Sequence, residues 1–202
     1  MMTRLKTSFR GYLRDESGVL LAEFLILIPM VIWSFLALFV YWDVFKTINI
    51  TQKAAYSISD LLSRQIVVNE DFLDGQQEIL DFLTPNVPES RIRITSMEMD
   101  EGTDVQAAWD GDDEFVLLFS HSPGDKVTLH TQASIQNLNS VVPTLQDLES
   151  VIIVETWVDF QPRLDTGVLN FALGVEDKTF KQLIVTRPRG RRVCLAGTPG
   201  CS

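Results

Sequence analysis

The sequence predicts an α+β fold: a long amino-terminal helix, transmembrane first and stalk-like after, packed with a second helix on an antiparallel sheet. Three observations predict it. Residues 24–42 form a run of 19 without a formally charged side chain, and at helical rise it covers about 28 Å, close to a bilayer's hydrocarbon thickness. Beyond it, apolar residues recur near helical spacing to about residue 66. After residue 90 the apolar period drops to two, the mark of half-buried strands.

The 202 residues, 46% hydrophobic and 22% charged, leave room for one domain of about 150 residues plus an appendage. Disorder and collagen-like repeats are excluded on composition. With 17 basic against 27 acidic residues and a net charge of −10, the chain is a poor counterion for nucleic acid. Two cysteines cannot build a zinc cage or a multi-bridge scaffold.

Residues 1–18 are a basic leader carrying Arg4, Lys6, Arg10 and Arg14. Basic residues beside a first span resist translocation, so the amino terminus stays cytoplasmic and the acidic remainder crosses. Residues 19–42 are the transmembrane helix. The apolar run is longer than that of a secretory signal peptide, and it exits into Trp42-Asp43-Val44-Phe45-Lys46 without a small-x-small cleavage site. Phe39, Tyr41, Trp42 and Phe45 cluster at that exit, where aromatic rings favour a headgroup interface.

Residues 43–66 read as an amphipathic stalk, in which Phe45, Ile48, Ala55, Ile58, Leu62 and Ile66 recur near helical spacing. Residues 67–186 form the α+β domain. Asn69 or Asp71 caps a second helix through Leu83, with Phe72, Ile79, Phe82 and Leu83 inward and Thr84-Pro85 ending it. Ile92, Ile94, Met97 and Met99 mark a strand; further strand candidates are 114–120, 126–131, 151–160, 168–173 and 180–186. Residues 134–150 read as a loop with a short helix. The pattern leaves strand order open.

Glu23 is the anomaly. The apolar run begins at Val19, and a carboxylate within it is unfavourable by up to ~3 kcal/mol at the bilayer centre, less near an edge. A cut after Gly18 would give Val19 a new α-amine, with Glu23 four residues on along the same helical face, where ammonium, helix end and carboxylate attract one another. In an assembly the same carboxylate would instead neutralise a neighbour's amine and fix the axial offset. Pro29 lacks the amide that would bond Leu25, so a kink or local loosening is expected there.

A basic leader ending in Gly18, Val19 as first mature residue and Glu23 as the fifth resemble the type IV pilin-like proteins. Glu23-Phe24 followed by Pro29 is similar, more specifically, to the TadE-type pseudopilins of the tight-adherence (Tad, Flp) pilus system. Val154-Glu155 through Phe160-Gln161-Pro162, and Thr186-Arg187-Pro188-Arg189 before a Cys-containing tail, also look like TadE-type ectodomains. The resemblance implies cleavage by a membrane aspartic prepilin peptidase and a non-enzymatic role as minor pilin or assembly factor, without a cofactor. The partners it implies are inner-membrane lipid, the peptidase, other pilins and Tad assembly proteins. The competing reading is an uncleaved, membrane-tethered periplasmic scaffold whose Glu23 snorkels to the cytoplasmic face.

Residues 98–114 hold eight acids and no base: Glu98, Asp100, Glu101, Asp104, Asp110, Asp112, Asp113 and Glu114. They read as a solvated acidic hairpin or as oxygen ligands for calcium, although the EF-hand pattern is absent. Residues 187–202 form a tail with Arg187, Arg189, Arg191 and Arg192, able to dock on its own acidic domain, meet an acidic neighbour or stay solvated. Cys194 and Cys201 enclose six residues that include Gly197, Pro199 and Gly200; a bridge there, expected outside the cytoplasm, is worth about 2–3 kcal/mol in the chain-entropy model.

Catalysis finds little support. His121 and His130 are the only histidines, and no nucleophile elbow, phosphate loop or zinc-protease helix occurs. Ser120-His121-Ser122 on a strand would point its neighbours to opposite faces.

Overall fold

The computed structural model describes residues 17–85, 87–100, 114–146, 148–162, 177–190 and 192–198. It is an α+β fold in which a long amino-terminal helix and a second helix pack on an antiparallel sheet.

Helix α1 (Ser17–Ser63) runs 47 residues and continues through Pro29 without ending. Residues 21–35 are exposed; further on it buries Ala37 and Val40, then Thr51, Ala54, Ala55, Ile58, Ser59 and Leu62. This face differs from the expected stripe. Phe45 is 61% exposed, and Ile66 lies beyond the helix end and is 69% exposed. In their place the register runs 40, 44, 47, 51, 54, 58 and 62, with two threonines in apolar company. Thr47 and Thr51 are accommodated because each hydroxyl donates 2.9 Å back to the carbonyl four residues earlier, Asp43 O and Thr47 O. Their methyl groups remain for packing.

Helix α2 (Glu70–Leu83) starts at Asn69, whose side-chain oxygen accepts 3.0 Å from Phe72 N, so Asn69 rather than Asp71 is the cap. Thr84 closes it, its backbone amide and its hydroxyl both donating to Leu80 O. Leu73, Gln76, Gln77 and Leu80 form its buried face, and Phe72, Ile79 and Leu83 flank that face. Phe82 is a correction: at 81% exposure it points away from the core.

Strands β2 (Ser90–Asp100), β3 (Glu114–His121), β4 (Ser150–Phe160) and β5 (Lys178–Thr186) form one sheet in the order β3-β2-β4-β5, antiparallel throughout. Ile92, Ile94, Phe119, Ile152 and Val154 meet α1 and α2 on one face. Met97, Met99, Phe115, Val151 and Ile153 meet Ile135, Val142 and Leu145 on the other. The uneven spacing from Ile94 to Met97 therefore marks two covered faces rather than a blemish in one. Opposite it, Ser96 pairs with Phe119 and Met97 with Leu117; the additional residue, Leu118, is a bulge that moves β3's apolar side chains from one face to the other.

The expected strand at 126–131 is not one. That stretch crosses the second face without strand pairing and leads into helix α3 (Gln132–Ile135). The 3-10 turns Pro123–Asp125 and Gln136–Ser140 flank it. The candidate strand at 168–173 lies outside the described residues. A parallel pair absent from the expectation joins β1 (Val67–Val68) to β6 (Cys194–Leu195), so the carboxyl-terminal tail is stitched beside the link between the helices.

Helix α1 lies antiparallel along β4. Val40 packs with Phe160 at one end, and Ser59 bonds the hydroxyl of Thr186, which pairs with Ile152, at the other. The 19 helical steps from 40 to 59 span about 28 Å and the eight strand steps about 26 Å, so helix and strand are matched in length.

Candidate functional site

Gly18, Val19, Glu23, Phe24 and Pro29 all fall in the amino-terminal part of α1. Gly18 and Val19 lie in its first turn. Glu23 follows Val19 by four residues and is exposed, as are Phe24 and Pro29. Residues 21–35 are all exposed, and the helix is long and apolar enough to cross a membrane. Such a surface is stable in lipid and unfavourable in water. Trp42, 70% exposed, stands at the end of the run.

The arginine tail docks on its own domain. Arg189 reaches Asp60 at 2.9 Å while its backbone amide donates 2.8 Å to Ser63 O. Arg187 pairs with Glu149 and donates 3.0 Å to Thr144 O; Arg192 reaches Glu98 at 3.5 Å. Asp60, hydrogen-bonded by Arg64 and by Arg189, is held below the usual carboxylate range. These pairs are largely exposed and contribute little energy each. The backbone bonds Cys194 N to Ile66 O, 3.0 Å, and Ala196 N to Val68 O, 2.7 Å, hold the tail more firmly. Cys194 is disulfide-bonded. Arg191 and Cys201 lie outside the described residues, as does the candidate calcium segment except for Glu98, Asp100 and Glu114.

A charged cluster that the sequence reading did not single out sits on the second face of the sheet. The Glu155 carboxylate, 2% exposed, accepts from Arg93 Nε at 2.7 Å, Lys181 Nζ at 2.9 Å and His130 Nε2 at 3.1 Å. Trp157 stacks beneath both cations, 5.3 Å from Arg93 and 5.0 Å from Lys181. Burial by itself pushes the Glu155 carboxyl up, but the hydrogen bonds from Lys181 and Arg93 more than offset that and hold it below the usual range. Burial, then the Arg93 guanidinium, lowers the His130 imidazole; Glu155 opposes without reversing the shift. The signal was present in the sequence: a glutamate inside the apolar stretch 151–160 needs a cationic partner if both sheet faces are covered.

The cluster is built as a structural clasp. His130 Nδ1 meets Ser134 Oγ at 3.0 Å, yet Ser134 is already engaged in the α3 capping box with Thr131. Glu155 is neutralised by two permanent cations and is a poor base. His121 pairs instead with Asp74 at 2.7 Å, while Ser120 bonds Thr95, on the other face as strand alternation requires. Among the described residues no three potential metal ligands converge.

Compared with known protein families, characterised proteins and solved structures, the chain shows no match.

Proposed function

We propose that the protein is a minor pseudopilin of the TadE type, a non-enzymatic component in the assembly of a bacterial Tad adhesion pilus. In this reading a prepilin peptidase removes residues 1–18 after Gly18. The mature chain is held in the inner membrane by α1 with its domain in the periplasm. The exposed apolar part of α1 packs with helices of other pilins or pseudopilins, and the acidic domain meets other Tad assembly proteins.

The observation that carries the reading is the division of α1. One continuous helix is exposed and apolar around Glu23 from residue 21 to residue 35, and beyond Val40 it serves as the spine of a folded domain. A helix that must leave lipid and enter a bundle of like helices needs a smooth apolar surface and one charge to set its offset.

Replacing Glu23 by Ala is the test in cells. The proposal expects leader removal to continue while pilus formation is lost. Normal pili with Glu23→Ala, or with a Gly18 substitution that blocks cleavage, would refute it.

A further inference from the structure

We propose that the base of the domain, the ends of β4 and β5 together with the tip of α2, is a lipid-contact surface seated on the leaflet from which α1 emerges. The domain takes hold of α1 before the apolar run has ended. Val40, inside the uncharged stretch 24–42, is 3% exposed and packs with Phe160 and Phe180, whose ring centres lie 5.7 Å apart. A residue at the lipid boundary is thus covered by protein, which brings the ends of both strands down to that level.

The surroundings of this level suit an interface. Trp42 is exposed beside it on α1, and an indole prefers the headgroup layer to either bulk phase. The end of α2 shares a cleft with Asp43, Lys46, Thr47 and Ile50 of α1, beginning about 1.5 Å past Trp42 at helical rise. Phe82, an exposed ring, directly precedes Leu83 of that lining, so the tip of α2 ends near a headgroup layer of about 5–8 Å. Continuity with the apolar run selects lipid as the occupant over a second protein.

This inference rests on α1 spanning a bilayer and not on the pilin reading. Its test uses the full chain in nanodiscs of phosphatidylethanolamine and phosphatidylglycerol. One nitroxide label is placed at a time on Thr179→Cys at the base, Val31→Cys in the apolar run and Gln146→Cys at the far end of the sheet. Relaxation by oxygen, which concentrates in lipid, is compared with relaxation by a water-soluble nickel chelate. The oxygen-to-nickel ratio at 179 is expected to exceed that at 146 severalfold and to fall below that at 31. A ratio at 179 equal to that at 146, with 31 lipid-embedded, would show the domain standing clear of the membrane and overturn the inference. Shielding of 179 from both reagents would point to a protein partner and overturn it equally. Nickel access at 31 would remove the span itself.

Discussion

Arg93 and Glu155 face each other across β2 and β4, with Arg93 Nε 2.7 Å from a carboxylate oxygen that solvent hardly reaches. Removing Arg93 alone leaves the buried carboxylate to Lys181 and His130. Arg93→Ala is therefore expected to destabilise by about 1.5–3 kcal/mol, the range for a hydrogen bond to a charged group. The double variant Arg93→Leu/Glu155→Leu should recover much of that loss, because the buried charge goes with its partner. Urea unfolding of the three proteins measures both effects; equal losses in the single and double variants would contradict the account.

The same cluster gives stability an acid limb in two steps. His130 is lowered in the folded state, so below the ordinary histidine range the unfolded chain binds a proton that the folded chain refuses, and stability falls as pH falls. Glu155 is also lowered, so its stabilisation is present above the ordinary glutamate range and is lost as pH drops through it toward the folded value. His130→Gln should flatten the first step and leave the second. Melting temperature against pH for both proteins reads this directly.

The outer edge of β3 is closed by side chains acting as a strand. Gln132 accepts from Leu117 N at 2.9 Å, and Gln136 accepts from Phe115 N at 3.1 Å and donates to Phe115 O at 2.7 Å. Replacing both glutamines by Leu keeps helix propensity but strips the edge, which then offers unpaired backbone groups to other chains. The double variant should lose about 1–3 kcal/mol and associate at concentrations where the parent is monodisperse, as light scattering would show.

Much of this architecture is legible from residue spacing, and the misreadings share a cause. The helical spine, the Asn69 cap, the Thr84 stop and the strands around Ile92, Val154 and Ile184 follow from period and cap chemistry. Phe82 faces outward although its size favours burial, and Phe45 is exposed as its place in the aromatic cluster at the membrane exit allows, whereas Thr47 and Thr51 satisfy their own hydroxyls within the helix and occupy the inward register. The stretch 126–131 has strand-like alternation, but its polar groups serve the clasp: Thr128 O accepts from Arg93 and His130 meets Glu155. Such pairings depend on tertiary placement that local pattern does not encode. At the proposed processing site, Gly18, Val19 and Glu23 are marked by spacing together with the resemblance to pilin-like proteins, and the fold adds only their common helix.

The amino-terminal mass of the membrane-extracted protein, from cells with an active prepilin peptidase, tests the central claim most directly. The account predicts a chain that begins at Val19, shortened by the 18 leader residues. A chain that begins at Met1 or Met2 in those cells would contradict it.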